Sequence, residues 1–130
     1  MSVINKNAKK QALDALLALG TLTAYLMKST YVYSAAHKFV ADLGANILAQ
    51  VALTGVTTNS PNDGTLDTAD HTFAAVTGSF ITIWYAVNTG STATSPLVFY
   101  NDAVTGFPGT ITGGDVLVTV DNGTDRLFTL

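Results

Sequence analysis

The chain has 130 residues, a net charge of −3, 48% apolar and 12% charged residues, and neither Cys nor Glu. This length suits one domain, 1–130, whose core can close unaided, and the lack of Cys excludes a disulfide, a thiolate metal site and a cysteine nucleophile. A charge content about half the roughly 25% of an average soluble protein predicts a surface partly covered by partners, while 20 Thr and 11 Gly favour strands joined by tight turns.

Residues 5–19 read as an amphipathic helix. Asn5 can cap it, Ala12, Leu13, Leu16 and Leu17 share one face, and Gly20 supplies a left-handed stop. Three Lys in its first half (6, 9 and 10) oppose the helix dipole, so solvent or an acidic neighbour must offset them. The period then changes to two: Thr21 to Leu26 alternates polar and apolar, as a half-buried strand does. A short helix is expected over 35–43, with Phe39, Val40 and Leu43 turned inward, and a strand pattern returns from Ile47 to Thr57. Residues 58–64 form a turn cluster, followed by short strands at 65–68 and 71–76.

The strongest strand is Phe80 to Val87, aromatic and β-branched throughout, hence central and buried on both faces. A polar loop over 88–95 leads to the strand Leu97–Tyr100. A loop holding Gly106, Pro108, Gly109, Gly113 and Gly114 leads to Val116–Val120, where Val116, Val118 and Val120 share one face and Leu117 and Thr119 the other. Asp121 to Asp125 forms a hairpin turn and Arg126 to Leu130 the closing strand. The predicted class is mainly β, an antiparallel sandwich of about seven or eight strands with an N-terminal α-helix.

Chemistry-bearing groups are sparse. His71 beside Asp70 and Asp67 has the elements of a base with an orienting carboxylate, but no nucleophile motif accompanies it, so a turn residue is the simpler reading. His37 is placed on the exposed side of the short helix. The oxygen-rich stretch Asn59 to Asp70 lacks EF-hand spacing and a bidentate Glu. Gly113-Gly114-Asp115 is no phosphate loop, since no Lys or helix start follows, and Asn122-Gly123-Thr124, although a glycosylation pattern, is explained by a hairpin. Trp84, Tyr85, Phe99 and Tyr100 could stack sugars or bases, but their strand setting favours core packing for at least half of them. No catalytic, cofactor-binding or metal-binding residue is assigned, no cofactor is expected, and the chain is not read as an enzyme.

Several segments in order resemble a family of small tailed-phage virion proteins of the capsid decoration or minor tail type. They are the helix motif from Asn5 through Leu13-Asp14 to Leu16, Lys28-Ser29-Thr30-Tyr31, His37 to Leu43, Leu53-Thr54-Gly55-Val56-Thr57, Trp84 to Asn88, Ala93 to Val98, and Leu127 to Leu130. The chain departs from that pattern over 44–52, where a Gly- and Tyr-rich loop is expected. The resemblance implies a virion structural protein, a capsid decoration (cement) subunit that binds the major capsid protein and copies of itself on the outer capsid surface. The alternative it implies is a tail-fibre or tail-tip component with a host-binding role, for which exposed Tyr or Trp beside Asp and Asn of the 103–115 loop would be the signature. Residues 1–59 carry +3 and residues 60–130 carry −6, an asymmetry that would let like subunits meet with complementary fields. A homo-oligomer is expected, with a trimer favoured by analogy with capsid local symmetry. No basic patch points to nucleic acid. No apolar run reaches the roughly 18 residues needed to span a membrane, and no secretory signal is convincing, so synthesis in the host cytoplasm is expected.

Overall fold

The structure, a computed structural model, describes residues 2–59, 61–120 and 127–129. In chain order the elements are α1 (Lys6–Leu17), β1 (Thr21–Lys28), a 3-10 segment (Val40–Asn46), β2 (Ile47–Ala52), β3 (Thr65–Leu66), β4 (His71–Asn88), β5 (Leu97–Asn101), β6 (Gly109–Val118) and β7 (Phe128–Thr129). The class is mainly β and antiparallel with an N-terminal helix, as predicted. The Asn5 side chain caps α1 by accepting from the Asn7 N–H at 2.9 Å. Leu13 is buried and Leu16 and Leu17 are half-buried, whereas Ala12 faces out. The acidic neighbours of the helix lysines are internal: Lys10 pairs with Asp14 at 2.6 Å and feels Asp63 from the 58–64 turn. Gly20 is not a left-handed stop, since it is absent from the positive-φ residues. It is required because a Cβ there would collide with the Asn88 carbonyl, which lets the helix hand over directly to β1.

The main sheet runs β2-β1-β4-β5, with β6 also on β4. Two strands expected at 71–76 and 80–87 are one 18-residue strand, β4. Its first half pairs with β6 (His71↔Val118 to Phe80↔Gly109) and its second half with β1 on one side and β5 on the other. Register shifts at Phe73/Val76 and Val76/Thr77 absorb the irregular middle. The Gly-rich segment expected as a loop is largely β6, which begins at Gly109 and not at Val116. Within it Val116 and Val118 are buried and Leu117 is exposed, as period two requires. The closing strand does not form a hairpin with the Val116–Val120 strand. Instead β7 pairs with β3 (Thr65↔Thr129, Leu66↔Phe128), and Leu127 N–H donates to the Leu66 carbonyl at 3.0 Å. Leu66 is fully buried, so its backbone must find partners away from water, and β7 supplies them. The expected turn over 121–125 lies outside the described residues.

Two clusters of buried side chains flank the sheet. On the first face Leu22, Ala24 and Leu26 of β1 and Ile83, Tyr85 and Val87 of β4 lie beneath Leu13 of α1 and Leu66 of β3. On the second face Tyr25, Met27, Trp84 and Ala86 are covered by Tyr31, Val40 and Leu43 of the connection between β1 and β2. β1 is therefore buried from Leu22 to Met27 on both sides, not half-buried as its alternation suggested. The helix expected over 35–43 is a 3-10 segment starting at Val40. Val40 and Leu43 turn inward, but Phe39 stays 39% exposed in an isolated bridge to Pro96. Val40 N–H donates to Ser95 C=O (2.9 Å) and Ala41 N–H to Thr92 C=O (3.0 Å), which fastens this cover to the 88–95 loop.

Candidate interaction surface

The second face opens to solvent through an aromatic cluster. Trp84 Nε1 donates to the Tyr31 hydroxyl at 2.9 Å, and that hydroxyl lies 2.9 Å from His37 Nδ1. The Tyr31 oxygen accepts from the indole N–H and shares a second hydrogen bond with His37 Nδ1, whose direction follows the imidazole tautomer. Burial raises the Tyr31 hydroxyl above its ordinary pKa, and the bond from Trp84 offsets part of that rise. Tyr33 lies over this pair, nearly parallel to Trp84 (centroids 6.2 Å, 17°) and 4.9 Å from Tyr100, which itself sits 4.8 Å from Trp84. Tyr33 is 53% and Val32 79% exposed, so the outer layer of the cluster meets solvent. At its margin Asp42 accepts from the Lys38 and Phe39 N–H groups at 2.8 and 2.9 Å. Those two backbone bonds hold its carboxyl below the usual range. The arrangement is an exposed aromatic and apolar surface with a buried hydrogen-bonded floor.

The other histidine behaves differently. His71 is 5% exposed at the start of β4, with Nε2 3.1 Å from the Tyr85 hydroxyl and its ring edge-on to Phe73 and Tyr85. Its Nδ1 makes no well-formed hydrogen bond, although the Ala69 carbonyl is placed to favour the protonated ring. Burial dominates and lowers the His71 pKa, while it raises that of Tyr85. The carboxylates expected beside His71 are engaged elsewhere: Asp70 accepts from the Val120 N–H at 2.8 Å and Asp67 from the Thr68 N–H at 3.0 Å. His71 is thus a core residue and not a turn residue. Tyr85 also reaches the wall of an open cavity of about 500 Å³ shared with Asn101, Val104, Leu117 and Leu127.

The remaining sequence candidates are dispersed. Among the described residues no group of three His, Asp or Glu could hold a metal ion. Asp115 accepts from the Ala75 N–H at 3.0 Å and braces the bulge where Ala75 takes φ 53°. Trp84 and Tyr100 belong to the second face and not to the 103–115 segment, which holds Asp115 but no Asn, so the expected signature of exposed Tyr or Trp with Asp and Asn is not assembled there. Asn122 to Thr124 lies outside the described residues. His37 sits in a loop bonded to Tyr31, not on a helix. Sequence reasoning missed the Trp84–Tyr31–His37 chain because its members are 53 and 6 positions apart in pairs. The only trace was the concentration of aromatics in 31–37 and 84–100. Among the described residues no helix is long and apolar enough to cross a membrane. No protein-family model, curated protein or solved structure matches the chain.

Proposed function

We propose that this chain is a tailed-phage virion structural protein, a capsid decoration subunit that binds the major capsid protein and copies of itself. The ordered motifs from Asn5 to Leu130 motivate the class, and the character of the surface supports the mode of action. No Lys, Arg, Asp or Glu occurs from 71 to 101, the stretch holding β4 and β5. Among the described residues the one ion pair is Lys10–Asp14 on the helix, while Val32, Tyr33 and Leu117 stand more than half exposed. Val32 and Tyr33 are adjacent on the aromatic face, and exposed apolar groups that lie together mark contact sites. A surface poor in charge is also cheap to desolvate against a partner. Tyr33 over Trp84 supports a second reading, a tail-fibre or tail-tip component, because stacked rings at a surface can seat a host sugar.

Quantitative mass spectrometry of purified virions separates the two. Decoration requires a copy number of the same order as the major capsid protein, and binding of the purified chain to expanded capsids of the parent phage. A few copies per particle would favour the tail component, and absence from the particle would overturn both readings.

A further inference from the structure

We propose that β2 is a strand-pairing site for a second copy of this chain, joined antiparallel across a two-fold axis with Gln50 at its centre. This rests on the geometry of the sheet edges and stands whether or not the chain is a virion protein. β2 ends the main sheet, with β1 on one side. Leu53 N–H donates to Leu22 C=O at 2.9 Å, and Val51 and Ala49 lie opposite Ala24 and Leu26. Antiparallel alternation therefore turns the backbone groups of Val51 and Ala49 toward β1 and those of Gln50 and Ala52 outward. Gln50 and Ala52 are also exposed at their side chains.

Sheet edges are normally blunted by charge, proline, bulges or a covering segment, and every other flank of this sheet shows such a device. The β5 edge is covered at its start by the 38–40 segment, through Leu97 N–H to Lys38 C=O at 2.8 Å and the Phe39–Pro96 bridge. β6 is broken by Gly113 at φ 68° and carries Asp115. The flank of β4 away from β6 is broken by Ala75 at φ 53° and Gly78 at φ 141°. β2 reads Ile-Leu-Ala-Gln-Val-Ala, with no charge or proline; its one irregularity is the register shift at Leu48, opposite Leu26/Met27, and Ala49–Ala52 pair without a break. No charged residue occurs from 43 to 62.

These facts select the occupant. A second copy offers the same uncharged edge, in unbroken register over Ala49–Ala52, and two identical edges meet by a two-fold, isologous contact. Such a contact sets Gln50 opposite its own equivalent and Ala52 opposite Leu48 of the second copy, so a charge at the centre would face itself and repel. An uncharged edge is what self-pairing requires.

The test is sedimentation of the full chain across the micromolar range, with folding followed by circular dichroism. The wild type should sediment as two chains of 13.5 kDa each. The double variant Gln50→Lys with Ala52→Lys should melt like wild type yet sediment as one chain, because the two lysines introduced at position 50 face each other on the axis and those at position 52 add like charge beside them. Gln50→Pro, which removes only an outward N–H, should do the same. The control Thr110→Lys with Thr112→Lys, on exposed positions of β6, should remain a dimer. A wild-type mass other than two chains, a dimer unaffected by the lysines at 50 and 52, or equal loss in the β6 control would overturn the proposal.

Discussion

The sheet face beneath α1 is closed mainly by aliphatic side chains, with Phe73, Phe80 and Tyr85 among them, whereas the opposite face is built around aromatic rings tied together through hydrogen bonds. The first gathers Leu13, Leu22, Leu26, Leu66, Ile83 and Val87, whose contribution scales with buried area and needs no special orientation. The second depends on Trp84, Tyr31 and His37 meeting at 2.9 Å each, and so on geometry as well as area. It also hosts Thr82, buried with no hydrogen-bond partner for its hydroxyl. The face under the helix rests mainly on buried area, and the face that rests on hydrogen-bond geometry lies next to the exposed ring of Tyr33. That pairing suits a protein whose outward face must keep a fixed shape while its inward face keeps the fold.

The sharpest way to break the contrast is Leu26→Ala. Leu26 is fully buried on the first face, and its truncation should cost about 2–5 kcal/mol, measured by urea denaturation. A loss well under that would mean this face is not the main source of stability.

Tyr31→Phe tests the second face. It leaves the Trp84 indole N–H buried without its acceptor and should cost about 1–3 kcal/mol, although hardly any volume is removed. His37→Ala, which spares that indole bond, should cost less. Equal losses would show that the chain of bonds acts differently from this account.

The titration of His71 distinguishes the faces by pH. Burial places its folded-state pKa below its ordinary value of 6.5, so the unfolded chain takes up a proton first as pH falls. The stability due to neutral His71 is intact above about pH 6.5 and is lost as pH drops through the folded pKa, with a slope of at most about 1.4 kcal/mol per pH unit. Denaturation at pH 7.5 and pH 5 should show the loss, and His71→Phe should remove that component. A wild-type stability that is flat between those pH values would place the residue outside the core.

The smallest effect concerns Thr82. Thr82→Val keeps the shape and removes a buried hydroxyl that has no partner, so the variant should gain about 1 kcal/mol. A loss would show that the hydroxyl has a partner of its own, such as a buried water.

Periodicity and turn chemistry were sufficient to read the helix, its Asn5 cap, the Leu13 face, the central strand Phe80–Val87 and the inward set Val116, Val118 and Val120, because each is a local pattern set by side-chain spacing along one element. The chain by itself also determined what chemistry is ruled out: with no Cys, thiol and disulfide chemistry cannot occur. Tertiary structure decided the rest. β1 looked half-buried until the 31–43 connection folded over its polar side, and His71 looked like a turn residue until β4 carried it against Tyr85. The 109–115 glycines looked like a loop until β4 offered a partner edge, and the closing strand chose Leu66 over its sequence neighbour. In each case the deciding partner is a distant segment, since a backbone edge or a buried polar atom is satisfied by whatever the fold brings beside it, and local sequence carries no record of that partner.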